Sequence, residues 1–448
     1  MPRAPWLDRL LPEWEVLRCL PHVAPFHRHP VDVHSWRTVE EIGFAMRDDA
    51  DGTGTPEAAG HLTDRREVLL AALLHDIGKG HEGDRAPAGA VIVERFGNRA
   101  GLDPEAVQRL TEIARLHLLL PTVATRRDIA DAQVIRETAE AVGDPRLLHL
   151  PSTCSRSPDA RASGPDVWSP WKAQLIRGLY LRVFDSMTHD HAEEETYARL
   201  RARAAEALDG QFAAAEVYAH LDRMRPAYLL STPPEVIGEH LALIRQANHG
   251  TAARHDSLGS IERFTLVTPD RPGILSLVAG TLAVHNANVL GGTAFTRDDG
   301  VAIEVWHVND ALGHDIDGRR WGRIFEAVPR ALAGEFPVAE SLAETRAAYR
   351  AVPRVRMETT VHVDNLGSER YSIVEVNTAD RLGLLWAITN ALHELALDIH
   401  LAKVDTIGPE VVDAFYVLRE NGRRVEGADE IERLVRRITK AVNDLDEM

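Results

Sequence analysis

Residues 69–80 read LLAALLHDIGKG. An apolar run long enough for two helical turns ends in His75-Asp76, and Gly78-Lys79-Gly80 breaks it. Such a run belongs in a core, where an imidazole and a carboxylate cost several kcal/mol unless each finds a partner. A divalent cation is one such partner, because neutral imidazole and carboxylate are among its preferred ligands. Adjacent helical residues diverge by roughly 100°, so His75 and Asp76 reach one ion only from near the helix end. The plain alternative is a His-Asp hydrogen bond that caps a buried helix.

Outward from this stretch, residues 1–230 carry Ala-, Leu-, Arg- and Glu-rich segments of helical period, with amphipathic runs at 105–120, 129–141, 171–184 and 193–207. The chain has 448 residues, 44% of them hydrophobic, enough for two or three domains with separate cores. Its two cysteines, Cys19 and Cys154, show no metal or redox spacing, as in a reducing compartment. No signal-peptide pattern opens the chain and no apolar run reaches a membrane span, so a soluble, cytoplasmic protein without membrane contact is expected. The net charge of −17 repels phosphate backbones and argues against nucleic acid as a partner. Several of the 21 histidines fall in the first third, in keeping with a metal site there.

Residues 231–258 read as a connecting helix and linker, with 250–259 as the linker proper. Beyond 261 short β-branched runs alternate with helices, and an internal repeat appears. Residues 264–275 read FTLVTPDRPGIL and residues 373–385 read IVEVNTADRLGLL, which places two Asp-Arg-X-Gly turns 110 positions apart. Each copy continues as helix, strand, turn, strand, helix, a ferredoxin-like pattern. The first copy is expected to add 359–363 as a closing strand. The second has none before Met448, so one of its sheet edges is open, covered or completed from elsewhere.

In each repeat the turn joins strand to helix, where glycine admits a ligand and the N–H groups of the helix start can hold a carboxylate. Asp270 and Arg271 with Gly273, and Asp380 and Arg381 with Gly383, offer the charge pair that suits an amino acid. Asn288 and Asp398, just before the second strand of their copies, are expected to line the same hollows. Alternatively Asp only caps the helix and Gly only makes the turn; two copies in register favour the ligand. In the helical part His34, His117 and Asp159 are further candidate metal ligands. A mononuclear hydrolase site needs three or four, and the ion lowers the pKa of bound water towards about 7, for attack on phosphorus. His189-Asp190-His191 opens a charged stretch and reads as a solvated helix start. Gly291-Gly292 has no phosphate-loop context.

AALLHDIGKG at 71–80, PVDVH at 30–34, LHLLLPTVATRRDI at 116–129, WSPWKAQL at 168–175 and the tandem repeats together resemble one family. It is the bifunctional uridylyltransferase/uridylyl-removing enzymes that act on the nitrogen-regulatory protein PII. The resemblance implies an all-α HD-type metal phosphohydrolase domain at 1–230, then two α+β ferredoxin-like ACT domains at 259–365 and 369–448. It implies a divalent cation on His34, His75, Asp76 and Asp159, with Mn2+ first and Mg2+ or Fe2+ as the other candidates. Lys79 or Arg85 would offset developing charge, and His117 would position phosphate or a second ion. PII is the implied partner and glutamine the effector at the ACT domains.

Two departures bear on this. No nucleotidyltransferase motif is present and Met1 falls near where that domain would end, so uridylyl transfer is not expected. Where the family has GRGGDHS, this chain has Gly80 to Ala86 with Arg85 in place of the histidine. An arginine repels a second cation but can grip a phosphate, so one ion is expected rather than two. The expected activity is therefore removal of UMP from PII, stimulated by glutamine. The rival from another class is a catalytically degenerate glutamine sensor that binds PII or another partner. A guanosine-tetraphosphate hydrolase is disfavoured, because there a synthetase domain separates the HD domain from a single ACT module.

Overall fold

The computed structural model describes residues 9–21, 29–48, 65–81, 85–129, 131–145, 147–148, 170–188, 193–258, 261–310, 316–348, 357–368, 370–407 and 410–447. The chain divides into two compact units, Met1–Ala192 and Glu193–Met448.

The first unit is helical: α1 (Val31–Asp48), α2 (Arg65–Leu74), α3 (Arg85–Ala100), α4 (Pro104–Leu116), α5 (Leu119–Arg126), α6 (Ala132–Val142) and α7 (Pro170–Thr188). Short 3-10 turns at Pro12–Leu17 and Ile77–Gly80 join them. Local chemistry sets several ends. Pro104 opens α4, and the Asp131 carboxylate accepts from the Gln133 N–H at 2.9 Å to cap α6, which stops at Gly143 with φ 73°. The apolar run in α2 is buried from Ala71 to Leu74 and packs with Trp14, Leu17, Ile42, Val93 and Leu110. Its helix ends at Leu74, so His75 and Asp76 lie on a turn. Gly80 follows because the neighbour is close: a Cβ there would stand 2.7 Å from Val16 Cγ1.

The second unit opens with helices α8 (Glu193–Ala207), α9 (Ala214–Asp222), α10 (Pro226–Ser231) and α11 (Pro234–Ala247). Then come β1 (Ala252–Ser257), β2 (Glu262–Pro269), α12 (Ile274–Val284), β3 (Ala287–Thr296), β4 (Val301–Asp310), α13 (Gly318–Leu332) and α14 (Val338–Ala348). The second copy is β5 (Thr360–Asp364), β6 (Ser372–Ala379), α15 (Leu384–Glu394), β7 (Leu397–Ile407), β8 (Glu410–Arg419) and α16 (Ala428–Glu447). All eight strands form one sheet in the order β1-β2-β4-β3-β7-β8-β6-β5, every pair antiparallel.

This topology corrects the expected edges. The segment 359–363 does not close the first copy: β5 pairs with β6 of the second, Thr360 opposite Asn377 and Asp364 opposite Ile373. The first copy is closed by β1, from residues read as linker, with Ala252 opposite Val267. Each half thus takes its outer strand from upstream, at the same register. The helices from Glu193 to Ala247 also belong with the sheet. Leu208, Tyr228, Ile237 and Leu241 pack on Val267, Phe295 and Ile303, so the compact helical unit ends near 192 rather than at the expected 230. The opposite face carries Phe264, Leu266, Trp306, Val374 and Phe415 in one continuous core with α12, α13, α15 and α16. With both faces covered, β2 is buried from Phe264 to Thr268, which explains its unalternating run.

The repeat extends to backbone detail. Gly273 and Gly383 both sit at φ 84°, Asn286 and Ala396 at φ 60° and 55°, and β3 and β7 each carry a bulge, between Val289 and Gly291 and between Ile399 and Leu401. The halves meet where Gly291 and Gly292 pair with Asp405 and Val404. The helices meet too: a Cβ on Gly280 of α12 would lie 2.6 Å from Trp386 Cδ1 of α15 and would also clash with Val338. Gly280→Ala is therefore expected to destabilise the sheet unit by about 1–3 kcal/mol through overpacking, read from its denaturant unfolding midpoint.

Candidate functional site

Three elements deliver the buried polar cluster of the helical unit. His34 lies in the first turn of α1, His75 and Asp76 follow the last residue of α2, and His117 follows α4. His34, His75 and Asp76 each offer a ligand atom, all within 4.8 Å of one another, and all three are buried. Asp76 Oδ2 is 3.5 Å from His34 Nε2, 3.2 Å from His75 Nε2 and 2.7 Å from Lys79 Nζ, while Oδ1 is 3.5 Å from His117 Nε2.

Each nitrogen's role follows from its neighbours. His75 Nδ1 donates to the Ala72 carbonyl and His117 Nδ1 to the Ala114 carbonyl, both at 2.8 Å and both three residues back. That turns Nε2 of both rings towards Asp76, where it donates when the ring is protonated and offers a ligand lone pair when the ring is neutral. Burial raises the Asp76 carboxyl, but the charges of Lys79 and His75, with hydrogen bonds from His117 and His75, hold it well below the usual carboxylate range. The set is two imidazoles and an ionised carboxylate at one buried point, with a third imidazole adjacent. Those donors fit a divalent cation. Asp159, His189 and His191 lie outside the described residues, as does the Arg85 side chain, although Arg85 itself begins α3.

In the sheet unit the two Asp-Arg-X-Gly turns each border a hollow, and both hollows are shared between the copies. The first joins Asp270, Arg271 and Gly273 to Asp398 of the second copy. The other joins Asp380, Arg381 and Gly383 to Asn288 of the first. The expectation that Asn288 and Asp398 line their own copies' hollows is thus corrected: they cross over, and Asn288 Nδ2 donates to Asp380 Oδ2 at 3.3 Å. Neither Asp caps its helix, whose N-terminal cap is the glycine with no side-chain hydrogen bond.

Glu304 and Asp413 were missed from the sequence. They occupy equivalent places on β4 and β8, are 2% and 1% exposed, and each lines the hollow of its copy. The signal was available: Glu304 shares strand parity with Ala302 and Trp306, and Asp413 with Val411 and Phe415, all core residues. Burial pushes the Glu304 carboxyl up to about 8, the Trp306 indole N–H opposing this and the Asp270 charge adding to it. Burial also raises Asp270 and Asp380, against hydrogen bonds from Thr296 and Asn288 respectively.

Comparison with known proteins fits this geometry. Residues 31–141, which span His34, His75, Asp76, Lys79 and His117, match the HD domain family. This stretch is an HD domain. Similarity continues well beyond it, to proteins named bifunctional uridylyltransferase/uridylyl-removing enzyme. The chain is 30% identical to that of Gluconobacter oxydans over 96% of its own length and 46% of the relative. The figures are 31%, 97% and 48% for Cereibacter sphaeroides, and 33%, 88% and 44% for Rhodopseudomonas palustris. The chain spans about half the length of the curated relatives it matches. Among the described residues no helix is long and apolar enough to cross a membrane.

Glu304 makes the sheet unit sensitive to pH. Its folded value of about 8 exceeds the ordinary 4.5, so the folded state holds a proton that the unfolded state gives up between them. The stability it contributes is complete below 4.5 and is lost as pH rises through about 8, by on the order of a few kcal/mol. Glu304→Gln should remove that loss, measured as unfolding free energy on both sides of the window; an unchanged loss in the variant would refute the assignment.

Proposed function

We propose that the HD domain is a metal-dependent phosphodiesterase that removes UMP from a uridylylated PII protein, and that the two sheet copies are ACT domains sensing glutamine. The observation that carries this reading is the convergence of His34, His75 and Asp76 beside Lys79. The setting is a chain similar along both units to uridylyl-removing enzymes. His34, His75 and Asp76 hold the cation, Mn2+ in the first instance, with Asp159 as the fourth ligand on the resemblance. When bound, the ion supplies Lewis acidity and a water of lowered pKa.

The chain's own groups do the rest. Asp76 keeps its charge and aligns the imidazoles. Lys79, with its side chain 21% exposed, stands at the mouth of the cluster and can turn from Asp76 to a phosphoryl oxygen as charge develops. His117, its Nδ1 proton committed to Ala114, presents Nε2 to the same space and can hold a phosphate oxygen when protonated. Arg85, at the start of α3, replaces a ligand for a second cation with a fixed positive charge, so one ion per chain is proposed.

The test is incubation with UMP-modified PII and Mn2+, with and without glutamine, following UMP release. Asp76→Asn should lower release by about a thousandfold or more and abolish bound metal by elemental analysis, whereas His189→Ala and His191→Ala should leave both unchanged. A folded, metal-loaded chain that never releases UMP would instead be the regulatory glutamine sensor.

A further inference from the structure

The two hollows are related by the repeat, so equivalent positions can be compared pair by pair, and they differ in one consistent direction. At the Asp380 hollow the protein supplies its own occupants. Asn288 donates to Asp380 at 3.3 Å. Arg381 is spent on the protein: Nε on the Ala379 carbonyl at 3.2 Å, Nη2 on Thr378 Oγ1 at 3.0 Å and Nη1 on the Val442 carbonyl at 3.5 Å. Trp386 stands where the first copy has Ser276. Helix α14 seals the turn from outside: Arg346 donates to the Leu382 carbonyl, and Leu342 lies so close that a Cβ on Gly383 would be 2.9 Å from its Cδ2.

At the Asp270 hollow each of these is relaxed. The partner of Asn288 is Asp398, a carboxylate that cannot donate and whose charge opposes that of Asp270. The Arg271 side chain is exposed and has no hydrogen bond or ion pair among the described residues. Ser276 leaves room, and the cavity measures about 40 Å³ against 20 Å³. Glu304, nine-tenths buried and more, lines the hollow with a neutral indole N–H, Trp306 Nε1 at 3.1 Å, as its one hydrogen-bond partner among the described residues. Among the described residues the Asp398 side chain pairs with His400 Nε2 alone, at 3.3 Å, and is 55% exposed at the mouth. Two carboxylates and the protonated carboxyl of Glu304 therefore line a hollow whose basic neighbours among the described residues are the imidazoles of His393 and His400, with no committed lysine or arginine, and an uncommitted guanidinium stands at its rim beside the N–H groups that follow Gly273.

We infer that the chain binds one amino acid and not two: the Asp270 hollow is the ligand site and the Asp380 hollow is closed by the protein's own side chains. The ligand's ammonium meets Asp270, Asp398 and Glu304, and its carboxylate meets Arg271 and the start of α12. The inference rests on reading the repeats as amino-acid sensors, but it does not require the amino acid to be glutamine.

Calorimetric titration of the full chain, with glutamine first and then the other common L-amino acids at millimolar concentration, tests it. One ligand should bind per chain. Asp398→Asn, an isosteric change at an exposed position, should weaken binding by about tenfold or more, and Arg271→Ala likewise. Asp380→Asn should leave affinity within about twofold, with circular dichroism confirming that each variant folds. Two ligands per chain, or equal losses in Asp380→Asn and Asp398→Asn, would overturn the single site while leaving amino-acid sensing intact. Binding of another amino acid with the predicted pattern would keep the site and overturn glutamine as effector. No binding by any of them would overturn both.

Discussion

Gly291 and Gly292 on β3 hydrogen-bond with Asp405 and Val404 on β7, and this short seam makes one sheet out of two halves. Gly292 is also crowded from within its own half: a Cβ there would lie 3.3 Å from the Trp306 ring and from the Val305 carbonyl of β4. Because the seam joins the second strands of the copies, the start of each is carried to the helix start of the other. Neither half owns a complete hollow. Asp398 reaches Asp270 and Asn288 reaches Asp380 only because the seam exists, so one exchanged pair of side chains is enough to make the two composite sites chemically different.

The helical unit solves another problem, which is to keep a charge where there is no water. An ionised carboxylate at 3% exposure would be prohibitively costly alone. Here it sits at the breakpoint between a helix and a 3-10 turn, where backbone direction changes and side chains from three elements can meet. Gly80 lets that turn pack against Val16, and carbonyls one helical turn back aim two of the imidazoles. The apolar run before it supplies the rigidity that holds this geometry, so the same dozen residues provide both scaffold and chemistry.

Those dozen residues were legible in sequence because composition and position coincide in them: an apolar run long enough for a helix, a breaker, and two ligands at the break. His34 and His117 were legible for a related reason, each being a histidine at a helix end among apolar neighbours. Strand pairing was not. The edge strand AARHDS has no apolar alternation, and its identity comes from its register on β2, a fact about the partner. The segment at 360–364 was seen as a strand but given to the wrong half, since a repeat reveals equivalence and says nothing about which copy a connecting strand joins. The crossing of Asn288 and Asp398 follows from the seam and was hidden with it. Glu304 was overlooked because a lone acid in an apolar strand reads as a solvent-facing position, and only a count of parity along VAIEVWHV places it inward.

That each half takes its outer strand from upstream bears on how the chain is made. During synthesis β1 and β2 emerge as a hairpin with a short connection, β3 and β4 follow as another, and the first half has all four of its strands by Asp310. It need not wait for a distant strand with its inner edges exposed, a state that invites mispairing. Only the edge of β3 stays open until β7 appears. The ribosome thus releases a half that is already covered on one face by its preceding helices, and the seam, with the ligand hollow that depends on it, cannot form until β7 has emerged, when only β8 of the sheet is still to come.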